Sequence, residues 1–483
     1  MSEAERIFFS GDRSPEPWMD EAGRLCAAAI LDFFPRPARA EVFCGRGNNG
    51  GDALVVARWL KRHGWRVTLQ VGATLSELAR KKLAEFGAEP EGPGPILVDS
   101  FPLITVDGLL GIGAKGDLRG EIREMADRLN ALRREAGAVC FSIDLPSGFD
   151  ADLGKAGAGA VVADVTLTIT AAKTGFAVDG AENHVGRLVE IPLEIPVAAG
   201  DQTRRFLFPS NLRPRLPRRD FDTHKGDAGR VVIVAGSAGL TGAAVLSSLG
   251  ASFGGAGLVT VCVPEEIYPI VAGKAPAEVM VRSYRDGAEV RGLAADVFAV
   301  GPGLGAALRP GMEELLIEEC RPVVIDADAL NAIARRSGGI PAFSGPRLLT
   351  PHPGEMSRLL GGAPIEDRAT VARNFADEHG LSLLLKGART VIASPDRPLE
   401  FNTTGHPGMA SGGMGDVLTG LCAALAGQGI ALHDAACLGS WLLGRAAEIA
   451  RRHLDVADET VTAPPVAEHL GKAWQSLRTP GTP

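Results

Sequence analysis

Short runs of β-branched and other apolar residues alternate with helix-like segments along nearly the whole chain. An apolar run bounded by turn residues predicts a strand, and the longer segments between such runs predict helices. This alternation is typical of α/β domains with parallel sheets, because two parallel strands need a long connection between them. The sequence therefore predicts an α/β fold.

Both halves of the chain contain this alternation. In the first half, the predicted strands are Glu41–Cys44, Arg66–Val71, Ile96–Val98, Leu103–Leu109, Ala138–Ile143 and Asp164–Thr170, and the predicted helices are Asp52–Arg62, Leu75–Phe86 and Arg119–Glu135. In the second half, the predicted strands are Arg230–Ala235, Leu258–Val263, Val297–Val300, Val323–Ile325, Arg347–Leu349 and Leu383–Leu385, and the predicted helices are Gly242–Phe253 and Val417–Leu425. Each half is long enough for a doubly wound sheet, in which ligands bind at the carboxyl ends of the strands.

A stretch rich in proline and arginine separates the two halves. Residues Ala199–Asp227 contain Pro209, Pro214 and Pro217 together with a dense set of arginines, a composition typical of a linker. A length of 483 residues favours two or three domains. We expect one domain over residues 1–205 and a second over residues 206–483.

The charge and the composition exclude several classes of protein. A net charge of −8 and a pI near 5.7 argue against nucleic acid or an anionic membrane as the main partner. The seven cysteines are scattered without a C-x-x-C pair, which indicates free thiols in a reducing compartment rather than disulfides or zinc ligands. The sequence has no apolar signal core and no apolar run long enough for a membrane span, so we expect a cytoplasmic protein.

The stretch Asn402–Asp416 surrounds one carboxylate with glycines, and the apolar run Val417–Ala426 follows it at once. Glycines allow backbone N–H groups to crowd around an anion, and the start of the next helix adds its positive end. A base beside such a cradle suits phosphate transfer or elimination, and Asp416 is placed to be that base. The alternative is a glycine-rich loop in which Asp416 is an ordinary helix cap.

Three polar, glycine-rich segments follow predicted strands of the first half: Gly45–Asp52, Asp107–Asp117 and Asp144–Gly148. The first segment suits a phosphate or a dinucleotide, and a tight turn capped by Asp52 is an equal alternative. Oxygen atoms of Asn49, Asp107 and Ser147 suit a hard monovalent cation. Asp144 is a candidate base or hydrogen-bond partner of the substrate.

Six further motifs flank the predicted strands of the second half: His224–Asp227, Gly236–Ala243, Gly301–Gly305, Asp326–Asn331, Thr350–Glu355 and Lys386–Thr390. Lys225 is a candidate for binding an anionic ligand, with a surface lysine beside a linker as the alternative. His352 lies between two prolines at a strand end, which favours a fixed functional role. Together with Asn402–Asp416, these motifs predict a nucleotide-phosphate site that faces a second pocket.

The motifs together resemble those of the bifunctional NAD(P)H-hydrate repair enzymes, which join an NAD(P)H-hydrate epimerase to an ADP-dependent (S)-NAD(P)H-hydrate dehydratase. The strongest signatures are NNGGD at 48–52, DLPSG at 144–148, HKGD at 224–227, TPHPGE at 350–355 and NTTGHPGMASGGMGD at 402–416. The resemblance covers nearly the whole chain. It implies a Rossmann-like αβα N-terminal domain followed by a ribokinase-like α/β C-terminal domain.

The resemblance also implies roles for individual residues. In the first domain, the hydrated nicotinamide would be lined by Asn48, Asn49, Gly50, Gly51, Asp52, Gly111, Ile112, Gly113, Ala114, Lys115, Gly116, Asp117 and the catalytic Asp144. Potassium would be coordinated by Asn49, Asp107 and Ser147. In the second domain, the hydrated cofactor would contact Ala243, Gly303, His352 and the catalytic Asp416. ADP would be held by Lys386, Gly387, Ala388, Arg389, Thr390, Gly405, Gly408, Met409, Gly412, Gly413 and Gly415.

The implied chemistry fits the residues. The nucleotide would phosphorylate the hydroxyl group of the damaged ring, and loss of phosphate would restore the double bond. Asp416 would deprotonate that hydroxyl while the glycine N–H groups stabilise the transferring phosphoryl group. We expect Mg²⁺ to accompany the nucleotide. The expected partners are NAD(P)HX and ADP, with no nucleic acid and no membrane, and we expect a homo-oligomer.

The chain departs from the family pattern in three places. Ala53 follows NNGGD where the family usually has glycine, and Ile112 replaces the usual threonine of a GTG loop. The segment before Trp18 is short, so we expect a curtailed opening helix and a weak epimerase. The main alternative function is a ribokinase-like small-molecule kinase, such as one that acts on a vitamin precursor alcohol, with a non-catalytic nucleotide-binding module in front.

Overall fold

The computed structural model describes residues 14–87, 102–195 and 202–479. The chain forms two compact units that divide between Asp201 and Gln202. Each unit has its own parallel sheet and its own apolar core. The predicted strand Ile96–Val98 and much of the short leader before Trp18 lie outside the described residues.

The first unit is built on a parallel sheet. Its strands are β1 (Arg39–Cys44), β2 (Arg66–Val71), β3 (Leu103–Gly108), β4 (Val139–Ile143), β5 (Phe149–Asp150), β6 (Lys155–Ala156), β7 (Val165–Ile169) and β8 (Arg187–Ile191). Six of them pair in the order β2-β1-β3-β4-β7-β8, all in parallel, and β5 and β6 form a short antiparallel pair. The carboxyl ends of β1, β3 and β4 are therefore neighbours at one edge of the sheet.

The helices of the first unit are α1 (Glu16–Phe33), α2 (Asn48–Arg62), α3 (Glu77–Phe86), α4 (Gly120–Glu135) and the short α5 (Glu182–Val185). Helix α2 begins at Asn48 and not at the predicted Asp52, so NNGGD is its first turn rather than a loop. A Cβ atom on Gly50 would lie 1.8 Å from the carbonyl oxygen of Gly45. The glycine therefore lets α2 start directly against the end of β1.

Side chains of the first sheet alternate between two apolar clusters. Val42 and Cys44 of β1 pack with α1 and α2, whereas Phe43 between them packs with α4. All three side chains are fully buried. Because successive residues of a strand point to opposite faces, helices cover both faces of this sheet. The αβα prediction for the first unit is confirmed.

The second unit contains one ten-stranded sheet. Its strands are β9 (Arg204–Leu207), β10 (Arg230–Val234), β11 (Leu258–Pro264), β12 (Met280–Tyr284), β13 (Val297–Val300), β14 (Val323–Ile325), β15 (Arg347–Leu349), β16 (Ser382–Leu385), β17 (Val391–Ala393) and β18 (Leu399–Asn402). They pair in the order β12-β11-β10-β13-β14-β15-β16-β17-β18-β9. The pairs formed by β17 are antiparallel and the others are parallel.

Helices pack against this second sheet. They are α6 (Pro209–Leu212), α7 (Thr241–Phe253), α8 (Tyr268–Ala272), α9 (Gly287–Arg291), α10 (Met312–Ile317), α11 (Ala327–Ala334), α12 (Pro353–Leu359), α13 (Arg368–His379), α14 (Met414–Gly427), α15 (Leu432–Leu454), α16 (Ala463–Glu468) and α17 (Leu470–Arg478). Short 3₁₀ turns occur between several of these elements. Among the described helices, none has an apolar stretch long enough to span a bilayer.

Helices α7 and α14 meet at backbone distance. A Cβ atom on Gly420 would lie 1.9 Å from the carbonyl oxygen of Ser247, and one on Gly250 would lie 2.1 Å from that of Val417. Glycine at both positions therefore permits the close crossing. The crossing fixes the start of α14, which carries Asp416, against the core.

The proline- and arginine-rich stretch is folded and not only a linker. Strand β9 pairs with β18, so Arg204 and Arg205, which were predicted to end the first domain, belong to the second sheet. Leu207 and Leu212 are fully buried in the core of the second unit. A prediction based on composition overlooks these two leucines, whose burial anchors the segment to the core.

A buried ion pair holds the segment after β9 against β18. The Arg215 guanidinium donates two hydrogen bonds to the Glu400 carboxylate, at 2.7 and 2.5 Å. Glu400 also accepts hydrogen bonds from His433 and Cys437. Burial raises the pKa of Glu400, but these hydrogen bonds outweigh burial and hold it well below its usual range. Glu400 is therefore a carboxylate that is stabilised by its neighbours.

We expect Arg215→Met to destabilise the protein by about 3 kcal/mol, because it leaves a buried charge without its cation. The measurement is urea unfolding of the full chain. Arg285→Met is the control, since Arg285 and its partner Glu265 are both more than two-thirds exposed and 4.0 Å apart. An Arg215→Met protein as stable as the control variant would contradict the prediction.

Candidate active sites

Asp107 lies at the centre of the predicted cation site in the first unit. Its side chain is fully buried at the end of β3. One carboxylate oxygen accepts hydrogen bonds from the Ser147 hydroxyl at 2.6 Å and the Leu109 N–H at 3.2 Å. The other accepts from the Ser142 hydroxyl at 2.9 Å and the Ser147 N–H at 2.8 Å. Burial raises the pKa of Asp107, and these hydrogen bonds oppose the rise.

Asn49 joins this group through the peptide of Leu110. The Asn49 side-chain amide donates to the Leu110 carbonyl at 2.7 Å, and the Leu110 N–H donates to the Ser147 hydroxyl at 2.9 Å. The structure thus brings together Asn49, Asp107 and Ser147, which come from three separate strand ends. Their amide, carboxylate and hydroxyl oxygens form a donor set that suits a hard monovalent cation.

Asp144 is held by a lysine that the sequence analysis overlooked. The Lys173 ammonium group is buried and forms an ion pair with the Asp144 carboxylate. It also donates to the carbonyl of Ala171 at 2.9 Å and to the hydroxyl of Thr168 at 3.2 Å. Asp144 has a positive φ of 66°, an uncommon backbone conformation that is often found at functional sites.

The segment Gly111–Asp117 lies partly at the surface. Gly111 is next to Asn49, since a Cβ atom on Gly111 would lie 3.8 Å from the Asn49 Cβ. Lys115 is more than half exposed and pairs with Asp152 at 2.8 Å. The Asp117 carboxylate accepts the Ala158 N–H at 2.8 Å. The start of this predicted segment therefore adjoins the Asp107 group, whereas Lys115 and Asp117 bond to the neighbouring loop 150–158.

Lys386 is the centre of the second site. Its ammonium group lies 2.8 Å from the Asp326 carboxylate and 3.7 Å from that of Glu355. The second oxygen of Asp326 accepts the Thr419 hydroxyl at 2.8 Å, which ties the group to α14. Burial lowers the pKa of Lys386, but Asp326 and Glu355 more than offset this and raise it above its usual value. Lys386 is therefore a half-buried cation at the carboxyl ends of β14 and β16.

Asp416 faces this group from the first turn of α14. Burial raises the pKa of Asp416 to about 6, with Asp326 and Asp328 adding to the rise and Lys386 opposing it. A carboxylate with such a pKa is ionised near neutral pH and is a better base than an ordinary aspartate. The environment of Asp416 thus fits the predicted base and is not that of an ordinary helix cap.

Glycines lie around the start of α14, which carries Asp416. Gly413 is the N-cap of α14 with a positive φ of 92°, and a Cβ atom on Gly412 would meet nothing within 4 Å. A Cβ atom on Gly415 would lie 3.4 Å from the Lys386 ammonium nitrogen. The Gly408 N–H donates to His406 at 3.1 Å, in a 3₁₀ turn that ends at Met409. Gly415 therefore adjoins the lysine, Gly413 lies against Leu246 instead, and Gly408 and Met409 lie in the preceding turn.

His352 caps helix α12. Its ring nitrogen Nδ1 accepts the N–H groups of Gly354 at 3.0 Å and Glu355 at 3.3 Å, and the His352 N–H donates to the Glu355 carboxylate at 2.8 Å. The imidazole is half exposed. The two prolines and the cap thus fix the ring beside Glu355, which itself contacts Lys386.

Ala243 and Gly303, which are both predicted to contact the hydrated cofactor, lie side by side. Gly303 has a positive φ of 62°, and a Cβ atom on it would lie 2.8 Å from the Cβ of Ala243. Gly305 donates its N–H to the Asp328 carboxylate at 2.8 Å. The segments after β10 and β13 are therefore adjacent, and Asp328 links the second of them to the neighbourhood of Asp416.

The segment Lys386–Thr390 forms a turn after β16. The Thr390 hydroxyl donates to the Gly387 carbonyl at 3.0 Å. Arg389 is buried and its guanidinium lies 3.4 Å from the Asn402 carbonyl, so it supports the base of the glycine-rich loop. The Arg368 guanidinium lies against Gly387, where a Cβ atom would be 2.0 Å from it. Arg368 is a second cation at this turn that the sequence analysis overlooked.

Lys225 does not join the second site. It precedes β10, so it lies at the amino-terminal edge of the parallel sheet, whereas Asp326 and Lys386 lie at the carboxyl edge. Binding of an anionic ligand by Lys225 stays a prediction, and any such ligand would lie away from Lys386. The adjacent His224 caps a turn by accepting the N–H groups of Gly226 and Asp227. A cavity of about 790 Å³ opens at this amino-terminal edge, away from Asp416.

Fold and site together define the second unit as a ribokinase-like, nucleotide-dependent enzyme. It combines a mostly parallel sheet, a glycine-rich helix start and a half-buried carboxylate near a half-buried cation. A family profile described as NAD(P)H-hydrate dehydratase matches residues 231–466. A profile described as YjeF-related protein N-terminus matches residues 16–175.

Full-length relatives share both units. The bifunctional NAD(P)H-hydrate repair enzyme of Moorella thermoacetica is 41% identical over 470 residues, covering 90% of this chain and 88% of that protein. The enzyme of the same name from Escherichia coli strain K12 is 36% identical over 449 residues, covering 89% and 84%. The chain therefore belongs to the family of bifunctional NAD(P)H-hydrate repair enzymes. This membership disfavours the alternative of a small-molecule kinase with a non-catalytic module.

Solved structures support the fold of the second unit. An ADP/ATP-dependent NAD(P)H-hydrate dehydratase from Bacillus subtilis, co-crystallised with ATP and Mg²⁺, has a TM-score of 0.51 and 30% identity, covering 56% of this chain and 98% of that one. A ribokinase-like superfamily protein from Enterococcus faecalis has a TM-score of 0.51 and 26% identity, covering 59% and 100%. The ribokinase-like prediction is confirmed.

The raised pKa of Asp416 predicts how the activity should depend on pH. If Asp416 is the base, kcat/KM for S-NADHX should fall below about pH 6, where the carboxylate becomes protonated. Asp326→Asn removes a neighbouring negative charge that raises this pKa, so the fall should move to lower pH. Glu265→Gln, an exposed carboxylate, is the control. An acidic limb that stays in place or moves upward in Asp326→Asn would contradict the prediction.

Proposed function

We propose that the chain repairs hydrated nicotinamide cofactors in two steps. The first unit interconverts the R and S epimers of NAD(P)HX, and the second dehydrates S-NAD(P)HX to NAD(P)H at the expense of ADP. The observation that carries the proposal is Asp416, a half-buried carboxylate with a raised pKa at a glycine-rich helix start, near Lys386. A base, a cation and free helix N–H groups at one place suit phosphoryl transfer to a hydroxyl.

The reaction in the second unit uses these groups in order. Asp416 takes the proton of the ring hydroxyl, whose oxygen attacks the terminal phosphorus of ADP and displaces AMP. Lys386 and the N–H groups of Gly412, Gly413 and Gly415 offset the negative charge of the phosphoryl group. The phosphate then leaves the ring together with a proton from the adjacent carbon, which restores the double bond.

Mg²⁺ fits this site, where it would neutralise the phosphates of the nucleotide. The carboxylate of Glu355 is the protein group that we assign to it. This carboxylate is buried beside Lys386 and provides the hard oxygen donors that Mg²⁺ prefers. Lys386–Thr390 and the loop that contains Gly405, Gly408 and Met409 would complete the ADP site. The segments that carry Ala243, Gly303 and His352 would contact the hydrated ring.

In the first unit, Asp144 is the catalytic candidate and Lys173 fixes its position. K⁺ fits the oxygen donors of Asn49, Asp107 and Ser147, and it would order the adjoining strand ends around the substrate. The first turn of α2 and the segment 111–117 would line the pocket. Because Ile112 replaces a threonine, we expect this epimerase to be slow. A cytoplasmic homo-oligomer remains our expectation.

A direct assay tests the proposed function. The full chain is incubated with purified S-NADHX, Mg²⁺ and either ADP or ATP, and recovery of NADH absorbance is followed. Omission of the nucleotide is the control. NADH recovery that depends on a nucleotide supports the proposal, whereas no recovery above that control would reject it.

We expect Asp416→Asn to lower kcat for dehydration at least about a hundredfold, because the amide keeps the shape but cannot accept the proton. ADP affinity, measured by calorimetry, should stay within about threefold of wild type. Near-normal turnover would show that another group is the base.

We expect Asp144→Asn to abolish epimerisation of R-NADHX while dehydration of S-NADHX continues at the wild-type rate. The measurement follows both epimers by chromatography. Asp152→Asn is the matched control, because this exposed carboxylate also pairs with a lysine, Lys115, in the same unit. Epimerisation that survives Asp144→Asn, or that is lost equally in the control, would reject the catalytic role of Asp144.

A further inference from the structure

Helix α15 supports the start of the glycine-rich loop at backbone distance. A Cβ atom on Gly444 would lie 2.4 Å from the Thr404 hydroxyl oxygen and 2.8 Å from the Gly405 nitrogen. The Thr404 hydroxyl donates to the Trp441 carbonyl at 2.8 Å, and Asn402 reaches the Ser440 carbonyl at 3.4 Å. The chain leaving β18 therefore lies directly on α15.

Glu448, one turn further along α15, holds the first glycine of this loop. One of its carboxylate oxygens accepts the Gly405 N–H at 3.0 Å, and the other lies 3.0 Å from the Arg445 guanidinium. Both side chains are buried, at 6% and 7% exposure. Gly405 has a φ of 129°, so the backbone turns here in a conformation that disfavours other residues.

The opposite charges of Glu448 and Arg445 determine how this pair affects anion binding. A buried carboxylate bonded to a phosphate-binding loop would by itself repel a nucleotide. Arg445 offsets that charge, so the pair fixes the loop without opposing the anion. Further along the loop, the Ser411 hydroxyl donates to the Val461 carbonyl at 3.0 Å, which fastens its second half separately.

We infer that Glu448 is a positioning residue for the nucleotide: it holds Gly405 so that the loop 405–415 is already shaped for the phosphates before ADP binds. The inference rests on the proposed function, because it assigns the phosphates to this loop. Glu448 does not touch the reacting atoms. Its loss should weaken ADP binding far more than binding of the hydrated cofactor, since preorganisation affects the ligand that the loop contacts.

The test compares Michaelis constants in the full chain. We expect Glu448→Ala to raise KM for ADP and the calorimetric Kd of ADP about tenfold, the usual effect of losing a hydrogen bond to a charged group. KM for S-NADHX should stay within about twofold. Gly444→Ala should have the same selective effect, because the added methyl group displaces Thr404 and Gly405 without removing any polar group.

Glu319→Ala is the matched control for loss of a buried carboxylate. Glu319 is 8% exposed and, like Glu448, accepts one backbone N–H and one guanidinium, here both from Arg321. It precedes β14, at the edge of the sheet opposite to Asp416. Glu319→Ala should lower the melting temperature and leave both Michaelis constants unchanged.

Two results would overturn the inference. One is unchanged ADP affinity in both Glu448→Ala and Gly444→Ala, and the other is an equal rise in KM for ADP and for S-NADHX. If Glu448→Ala does not fold, Gly444→Ala alone is the test: a selective rise in KM for ADP supports the inference, and either of the two results above overturns it. A wild-type protein that recovers no NADH with any nucleotide would instead reject the proposed function.

Discussion

The buried ion pair between Asp326 and Lys386 is the interaction on which the second site depends. Asp326, Glu355 and Asp416 bring three carboxylates to one edge of the sheet, and without a cation their mutual repulsion would oppose folding. Lys386 offsets two of these charges directly and limits the rise in the pKa of the third. The same lysine is then in place for the anion that we propose the glycine-rich loop accepts. In this proposal, one side chain both stabilises the site and attracts the phosphate.

The first unit uses a related arrangement on a different sheet. Asp144 follows β4, and a buried lysine from a later loop, Lys173, forms an ion pair with it. Left-handed backbone occurs at both sites, at Asp144 itself and at Ala327 beside Asp326. Because parallel strands end at the same edge, each sheet can assemble a charged cluster from segments far apart in sequence.

Much of the fold could be predicted from the sequence because the central strands are uninterrupted apolar runs. Strands β8, β9, β12 and β18 were missed, since RLVEI, RRFL, MVRSY and LEFN mix polar and apolar residues at or near the sheet edges. Strands β5, β6 and β17 were also missed, because runs of two or three residues give no periodic signal. The start of α2 was misplaced because Gly50 and Gly51 suggest a loop, whereas the structure uses them for close helix packing. Composition alone also gave no sign that Leu207 and Leu212 anchor the supposed linker.

The sites were predictable to the extent that their residues lie in strand-end motifs. Asp107, Asp144, Lys386 and Asp416 belong to such motifs and were recognised. Lys173, Arg368 and Glu448 were not, because their importance comes from contacts with residues distant in sequence. Lys225 belongs to a distinctive motif that precedes a strand instead of following one, so the motif lies away from the Lys386 site.

The position of β9 has a consequence for dividing the protein into its two activities. Strand β9 pairs with the outer side of β18. A second unit that starts at residue 206 would lack the first two residues of β9, Arg204 and Arg205, and would leave backbone groups of β18 unpaired. An uncovered edge strand with apolar residues such as Phe401 invites pairing between molecules. Separate production of the dehydratase half should therefore retain residues 202–208.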